Sequence, residues 1–316
     1  MKIVVLEPLG ISAEEQKRAS EKIVSKGHDV VFCDSRPADK DEVEARAGDA
    51  DAVIIANMPF GKEYIEKCGK MRFLSVAFAG VDHVDTEFCR QRGIVVSNAA
   101  GYSVNAVTEL VFGLAVSVLR NIPKCDCEAR NGGTKAGLIG TELFGKKFGV
   151  VGTGAIGSRV CTIALAFGCD VYAYSRTEKE ELIGKGVKYT GLEDIMRNCD
   201  IISLHVPFGK STDKLISAKM ISLMKKNAVL INTARGGVVD SQALADALNA
   251  GSIAGAGIDV LEGEPPFDKS HPLITAENTV ITPHAAFASK EALYTRAVMV
   301  FDNIELWENG TPRNLC

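Results

Sequence analysis

The sequence has no apolar run long enough to cross a membrane, and it reaches Glu7 and Pro8 too soon after Met1 for a signal peptide. It also lacks an excess of basic residues, because 36 Lys and Arg stand against 40 Asp and Glu for a net charge of -4. Such a charge argues against nucleic acid or an anionic membrane as a partner. We therefore expect a cytoplasmic protein in which any phosphate site is local.

The number and spacing of the cysteines indicate neither a disulfide framework nor a cysteine metal site. The nine cysteines are scattered and odd in number. Cys125 and Cys127 are the only close pair, but their spacing is not the C-x-x-C of zinc and redox sites, and no His or Cys lies nearby. We expect no metal.

Short apolar runs alternate with helical patterns along most of the chain. This alternation predicts an α/β protein with parallel sheets. The predicted strands of a first lobe are 3–6, 29–32, 52–56, 73–77 and 94–96. Those of a second lobe are 148–151, 169–174, 200–205, 227–232, 253–258 and 278–282.

We therefore predict two Rossmann-like or flavodoxin-like lobes with a cleft between them. Residues 1–98 plus 285–316 would form a substrate domain and 99–284 a dinucleotide-binding domain, because we expect the last helix to pack back on the first lobe. Residues 103–119 are apolar nearly all round, which predicts a helix that joins the lobes or lies in a homodimer interface. Residues 121–145 show no clear period and predict a loop or an arm.

A glycine motif, Gly152-x-Gly154-x-x-Gly157, stands between an apolar run and a helical pattern. Gly152 would make the tight turn, Gly154 would let a pyrophosphate approach the backbone, and Gly157 would let helix and strand pack closely. The start of the helix, at Ala155 and Ile156, would then bind the phosphates. Taken alone, the motif also fits a turn that binds nothing.

The next predicted strand ends at Ser175-Arg176-Thr177, where an acidic residue is expected in an NAD-binding fold. A guanidinium can pair with the 2′-phosphate of NADP, whereas a carboxylate would repel it. This favours NADP over NAD. The alternative is that Arg176 is only a solvated cation and that NAD binds.

Three predicted strands of the second lobe end in reactive side chains. Arg235 follows the fourth strand of this lobe, Asp259 and Glu264 follow the fifth, and His284 follows the sixth. In parallel sheets, ligands bind beyond the carboxyl ends of the strands. A cation, an imidazole and a carboxylate near a nicotinamide are what hydride transfer between 2-hydroxy and 2-keto acids requires.

Several motifs together resemble the D-isomer-specific 2-hydroxyacid dehydrogenases. The resemblance spans nearly the whole chain, because Gly80-Val81-Asp82 and the segment 98–102 are also similar to that family. The other motifs, in chain order, are Gly152-x-Gly154-x-x-Gly157, Asn232-Thr233-Ala234-Arg235-Gly236-Gly237-x-Val239-Asp240, Asp259-Val260-x-x-x-Glu264-Pro265 and Thr282-Pro283-His284.

The resemblance implies a role for each reactive residue. Arg235 would bind the substrate carboxylate and polarise the keto oxygen, and His284 would be the acid and base. Glu264 would hydrogen-bond His284, while Asp259 would orient the nicotinamide or tune the site. The substrate loop would be Phe78, Ala79, Gly80 and Val81, with Phe78 as an apolar wall.

The resemblance also implies a small 2-keto acid substrate, such as glyoxylate or hydroxypyruvate, and a set of further cofactor contacts. Thr108 stands where the family usually has alanine, and His28, His83 and His271 are expected to be solvated. The expected cofactor contacts beyond the glycine motif and the segment 175–177 are His205, Val206, Pro207, Thr233, Ala234, Asp259 and Thr108.

Two alternatives to an enzyme remain open at this point. The same family contains corepressors, so the chain could be a dinucleotide-sensing interaction protein. It could also be a structural subunit that binds a nucleotide without a carboxylate site.

Overall fold

A computed structural model of the chain describes residues 1–263 and 266–316. The strands, in chain order, are β1 (Lys2–Val5), β2 (Asp29–Phe32), β3 (Ala52–Ile55), β4 (Phe73–Val76), β5 (Val95–Asn98), β6 (Lys147–Val151), β7 (Asp170–Tyr174), β8 (Lys188–Tyr189), β9 (Ile201–Leu204), β10 (Val229–Asn232), β11 (Gly255–Ile258) and β12 (Thr279–Ile281). The helices are α1 (Ala13–Ser25), α2 (Lys40–Ala47), α3 (Lys62–Ile65), α4 (Thr86–Gln91), α5 (Val104–Leu119), α6 (Ile122–Arg130), α7 (Ala155–Ala166), α8 (Glu180–Gly184), α9 (Leu192–Asn198), α10 (Ala218–Ser222), α11 (Ser241–Asn249) and α12 (Lys290–Glu308).

The chain divides into two compact units. Unit 1 contains Met1–Ser103 and Ala288–Cys316, and unit 2 contains Val104–Phe287. The sequence predicted changes of domain after residues 98 and 284, and the structure changes unit after Ser103 and after Phe287. The functional roles assigned to the two domains stay predictions.

Unit 1 is built on a five-stranded parallel sheet in the order β2-β1-β3-β4-β5. The central strands β3 and β4 are buried at every residue, as expected for a parallel sheet covered on both faces. The register pairs Ile55 with Val76 and Val76 with Asn98, so neighbouring strands end at one level. Helix α12 packs on β4 and α1 and closes this core.

Unit 2 is built on a seven-stranded parallel sheet in the order β12-β11-β10-β9-β6-β7-β8. The chain order reverses between β6 and β9, which is the topological switch point where ligands bind in such sheets. The predicted fold class, two parallel α/β sheets with helices, is therefore confirmed. Among the strands of the described residues, β8 alone has no predicted counterpart, because two residues at a sheet edge carry no apolar pattern.

The segment predicted as a loop or an arm contains a helix, so that prediction is wrong for α6. The helix follows Asn121, which has a left-handed φ of 51°, and it has Pro123 in its first turn. None of its residues is buried. The helix therefore contributes no side chain to the core, and its short, mostly polar sequence does not resemble a core-facing helix.

Helix α5 forms where the apolar pattern predicted it and packs on β10 and β11 within unit 2. A Cβ at Gly257 would lie 2.8 Å from Cβ of Leu114, so the glycines of β11 let the helix lie close to the sheet. Its opposite face, with Asn105 and Glu109, is exposed. A role of α5 in a homodimer stays a prediction.

Among the described helices, none is by itself long and apolar enough to cross a membrane. Only α5 and α6 taken together, bent by 60°, meet the length and composition of a broken span.

Candidate active site

The glycine motif forms the tight connection between β6 and α7. Gly152 has a φ of 96°, and a Cβ there would lie 2.7 Å from the carbonyl oxygen of His205. A Cβ at Gly157 would lie 1.9 Å from the carbonyl oxygen of Gly152, so both positions exclude a side chain. By contrast, the Cβ position of Gly154 has no other atom within 4 Å.

This connection fits a dinucleotide pyrophosphate. Gly154 precedes α7 and no side chain caps the helix, so the N–H groups of its first turn, including those of Ala155 and Ile156, are not taken up by a capping residue. Uncapped N–H groups and the helix dipole favour a phosphate at such an end. The open space beside Gly154 allows the phosphate to approach the backbone.

His205, Val206 and Pro207 follow β9 and lie beside the glycine motif. The N–H of His205 donates to the carbonyl of Val151 at 2.8 Å, and its Nε2 lies 2.8 Å from Oγ of Ser203. Burial lowers the pKa of His205 to about 3, so its imidazole is neutral at physiological pH. The structure thus brings these residues to the switch point between β6 and β9. Their contact with the cofactor stays a prediction.

Ser175, Arg176 and Thr177 follow β7, and Arg176 and Thr177 are exposed. The structure adds a second cation, because Nζ of Lys179 donates to Oγ of Ser158 at 2.9 Å in the first turn of α7. No spacing rule singles out Lys179 in the sequence, since the contact depends on the fold.

The turn after β10 is shaped by Asn232, which is 1% exposed. Its Oδ1 accepts from the N–H of Ala234 and its Nδ2 donates to the carbonyl of Arg235, both at 3.0 Å. Nη1 of Arg235 donates to the carbonyl of Ala234 at 2.8 Å. A Cβ at Gly236 would lie 2.0 Å from the carbonyl carbon of Leu261, so this turn lies directly against the loop after β11.

Thr233 carries a polar atom that fits a bound ligand. Its Oγ1 is buried and has no hydrogen-bond partner in the part of the chain that the structure describes. Buried hydroxyls are nearly always hydrogen-bonded, so this hydroxyl is available to bond a polar group of a bound dinucleotide. The neighbouring Ala234 lies in the same turn and is partly exposed.

Asp259 holds the turn that carries His284. Its Oδ1 accepts from Oγ1 of Thr282 at 2.5 Å and from the N–H of Ala285 at 2.8 Å, and its Oδ2 accepts from the N–H of Ala286 at 3.0 Å. The N–H of His284 donates to the carbonyl of Asp259 at 2.8 Å. His284 has a left-handed φ of 53°, which these bonds hold in place. A direct contact of Asp259 with the nicotinamide stays a prediction.

The alignment of strand ends explains why these turns meet at one edge of the sheet. Asn232, Ile258 and Ile281 are paired in register at the carboxyl ends of β10, β11 and β12. Arg235 and His284 therefore follow nearby strand ends.

Glu264, the predicted partner of His284, lies outside the described residues, as does Pro265. Two residues earlier, Oε2 of Glu262 accepts from Oγ of Ser241 at 2.8 Å and lies 2.7 Å from Nε2 of His271. Burial raises the pKa of Glu262, but the hydrogen bonds from His271 and Ser241 outweigh it, and the pKa lies below its usual value. Sequence reasoning missed this cluster, whose members are far apart in the chain.

The prediction that His28, His83 and His271 are solvated is wrong. The His28 side chain is 9% exposed and bonds the N-terminal amine and Glu308, and that of His271 is 12% exposed. Nε2 of His83 is buried, and burial lowers the pKa of this imidazole. The turn-like sequence around these histidines gives no indication of contacts with residues far away in the chain.

The predicted substrate loop follows β4 in unit 1. The carbonyl of Phe78 accepts from the N–H of Ala99 at 2.9 Å, and that of Ala79 accepts from Nδ2 of Asn98 at 2.8 Å. Gly80 and Val81 are partly exposed. The loop after β5 therefore fixes the backbone of this segment, whose contact with substrate stays a prediction.

Thr108 is fully buried in α5, and its Oγ1 donates to the carbonyl of Val104 at 2.7 Å. Its hydroxyl is thus engaged with its own helix. The predicted contact of Thr108 with the cofactor has no support in this geometry, and it stays a prediction.

The glycine connection, the switch point and the turns of Arg235 and His284 are features of a dinucleotide-binding oxidoreductase. A family model described as "D-isomer specific 2-hydroxyacid dehydrogenase, NAD binding domain" matches residues 112–286. The chain belongs to the D-isomer specific 2-hydroxyacid dehydrogenase family. It is an oxidoreductase with a nicotinamide dinucleotide cofactor.

Individual relatives agree with this assignment. The chain is 34% identical to a glyoxylate reductase of Aeropyrum pernix, over 93% of this chain and 91% of that protein. It is 31% identical to a hydroxypyruvate reductase of Blautia hydrogenotrophica, over 100% and 99% of the two chains. A solved acyclic imino acid reductase (Bsp5), in complex with NADPH and D-Arg, is similar with a TM-score of 0.88 and 31% identity over 100% of both chains.

These comparisons confirm the resemblance and the enzyme class predicted from the motifs. They give no support to the alternative of a corepressor-like interaction protein.

Proposed function

We propose that this protein reduces small 2-keto acids to D-2-hydroxy acids with a nicotinamide coenzyme, and that glyoxylate and hydroxypyruvate are its first candidate substrates. The observation that carries the proposal is the placement of the Arg235 and His284 turns after nearby strand ends of one sheet. Relatives named glyoxylate reductase, hydroxypyruvate reductase and glycerate dehydrogenase support it.

Each proposed catalytic residue has a chemical task. The coenzyme, when bound, supplies the hydride. Arg235 binds the substrate carboxylate and stabilises the negative charge that develops on the keto oxygen. His284 donates a proton to that oxygen and takes it back in the oxidation direction, with Glu264 hydrogen-bonded to its other ring nitrogen. The backbone N–H groups of Gly80 and Val81 bind the same carboxylate.

The test is a panel of reactions with the purified protein. Glyoxylate, hydroxypyruvate, pyruvate and a branched 2-keto acid are each mixed with NADPH or NADH, and coenzyme oxidation is followed by absorbance. We expect oxidation with glyoxylate or hydroxypyruvate, and a D-configured product from hydroxypyruvate. No oxidation with any member of the panel would contradict the proposal.

We further propose that NADPH is preferred over NADH. The segment 175–177 after β7 has no carboxylate, and Arg176 is exposed there. Lys179 adds a second cation beside the start of α7. A 2′-phosphate could pair with both charges, and the similar imino acid reductase was solved with NADPH.

Arg176→Ala should lower kcat/KM for NADPH by about tenfold or more, because a charged hydrogen bond contributes about 1.5 to 3 kcal/mol. The value for NADH should change little. Arg197→Ala is the matched control, since Arg197 is an exposed arginine of the same unit that pairs with Glu193. Equal use of both coenzymes by the unchanged protein, or a preference for NADH, would refute the assignment.

We also propose a cytoplasmic homodimer. All nine cysteines are free, as is usual in a reducing compartment. The dimer is proposed from the apolar pattern of residues 103–119. Sedimentation at a single mass of 33.7 kDa would exclude the dimer.

A further inference from the structure

Helix α12 carries a guanidinium inside unit 1. Arg296 is 5% exposed, and burial lowers its pKa. Burying a charge is costly unless its donors are well bonded, whereas an aliphatic side chain would fill the same space without that cost. A guanidinium at this buried position therefore indicates that its contacts have a structural or functional role.

The contacts of Arg296 indicate such a role, because they join three separate loops. Nη2 donates to the carbonyl of Leu9 at 2.9 Å, after β1, and Nη1 donates to the carbonyl of Ala77 at 3.3 Å, after β4. The guanidinium carbon lies 4.9 Å from the centre of the Phe78 ring, which is a cation–π contact. Tyr102, after β5, also acts on this guanidinium and raises its pKa, although burial has the larger, opposite effect.

These loops follow the carboxyl ends of parallel strands, the edge where such sheets bind ligands. The ring of Phe78 also meets that of Tyr102 edge to face, with centroids 6.2 Å apart. Phe78 is thus held by Arg296 and Tyr102 through its ring and by Ala99 through its carbonyl. The segment that follows contains Gly80, one of the proposed carboxylate-binding residues.

A buried carboxylate in the same unit offsets a small part of the cost of burying this charge. Glu7 is 3% exposed and raises the pKa of Arg296 by its negative charge. Its Oε2 accepts from the N–H groups of Ala56 and Met58, at 2.7 and 3.0 Å, and its Oε1 accepts from Nε of Arg36 at 2.9 Å. Glu7 is therefore itself fixed.

We propose that Arg296 is a positioning residue for substrate recognition. It holds the loop after β4 so that Phe78 and the N–H groups of Gly80 and Val81 stay in place for a 2-keto acid. This inference rests on the proposed function of that loop. Without the guanidinium, the carbonyls of Leu9 and Ala77 lose a donor and the Phe78 ring loses its cationic neighbour.

Kinetics of Arg296→Met test the proposal, because methionine keeps much of the volume and removes every donor. We expect KM for glyoxylate or hydroxypyruvate to rise by about tenfold or more, with KM for the coenzyme changed less than about twofold. Arg296→Lys keeps the positive charge, so its KM for the 2-keto acid should lie between those of the unchanged protein and Arg296→Met.

Ser75→Ala is the matched control. Oγ of Ser75 donates to the carbonyl of Val300 at 3.2 Å, so this change removes a bond between α12 and β4 without touching the three loops. It should leave KM for the 2-keto acid within about twofold, as expected when only local stability is altered.

Hydrogen exchange provides a readout that does not depend on activity. Exchange should be faster in Arg296→Met over residues 77–81 and 99–102, since the N–H of Ala99 bonds Phe78, and unchanged there in Ser75→Ala. If Arg296→Met fails to fold, substrate kinetics and hydrogen exchange of Arg296→Lys test the proposal instead.

The two proposals fail in different ways. If the unchanged protein turns over no 2-keto acid, the proposed function fails, and exchange alone decides whether Arg296 orders the loops. If the unchanged protein is active but the Arg296 variants keep both its KM and its exchange pattern, the positioning role is overturned.

Discussion

At the scale of single residues, His205 couples stability to pH. Its folded pKa is about 3 because it is buried, whereas an unfolded histidine titrates near 6.5. The unfolded state therefore binds more protons between these values. The stabilising contribution is complete above pH 6.5 and is lost as the pH falls from 6.5 towards 3.

We predict that the free energy of unfolding of the coenzyme-free protein falls between pH 7.5 and pH 5.0, and falls less in His205→Asn. The difference should be at most about 2 kcal/mol, since each pH unit below 6.5 is worth about 1.4 kcal/mol for one group. Urea unfolding at the two pH values measures it. His28→Asn serves as the control, and equal pH dependence in His205→Asn and the unchanged protein would refute the prediction.

Residues with a place in a sequence motif could be predicted, and residues defined only by the fold could not. Arg235 and His284 stand at fixed distances after apolar runs, so the sequence alone indicates the edge where they lie. Arg296 and Lys179 have no such marker. Arg296 meets Leu9, which is 287 positions away in the chain, and only the packing of α12 brings them together.

At the scale of elements, Glu262 joins the loops that follow β10 and β11. It accepts from Ser241, the first residue of α11, and from His271, which precedes β12. Gly236, next to Arg235, packs on the backbone of Leu261. Glu262 therefore ties together two loops that carry proposed catalytic residues.

Glu262→Ala should lower the free energy of unfolding by about 1 to 2 kcal/mol, because it leaves Ser241 and His271 without an acceptor. Since the folded pKa of Glu262 is lowered, its contribution is present above the ordinary value of 4.5 and is lost as the pH falls further. We expect kcat to fall more than coenzyme affinity. Glu193→Ala, which removes an exposed partner of Lys219, is the control.

Thermal unfolding and steady-state kinetics compare the two variants. Equal stability and equal kcat in Glu262→Ala and Glu193→Ala would show that the hydrogen bonds of Glu262 neither stabilise the two loops nor support catalysis.

The elements themselves show where a sequence pattern is informative. Central strands such as β3 and β9 are buried at every residue, so they appear as apolar runs, with Ser203 the one polar residue in β9. Helix α6 buries none of its residues and β8 has only two, so neither contributes an apolar run to a core. Elements that contribute little to a core leave little trace in the sequence.

At the scale of the whole molecule, one chain forms two parallel sheets that differ in strand order. The order β2-β1-β3-β4-β5 is flavodoxin-like, and the order of the second sheet contains the Rossmann arrangement around β6. The sequence predicts both sheets and the glycine connection. Substrate choice depends on loop conformation, for which the sequence offers no period or spacing rule.

We propose that this chain reduces 2-keto acids with His284 as the proton donor. The decisive experiment compares the turnover of hydroxypyruvate and NADPH by the unchanged protein and by His284→Ala, with coenzyme binding measured in parallel. We predict that kcat falls by about 10²- to 10⁴-fold in the variant while coenzyme affinity stays within about twofold. A variant that keeps the turnover of the unchanged protein would contradict the account.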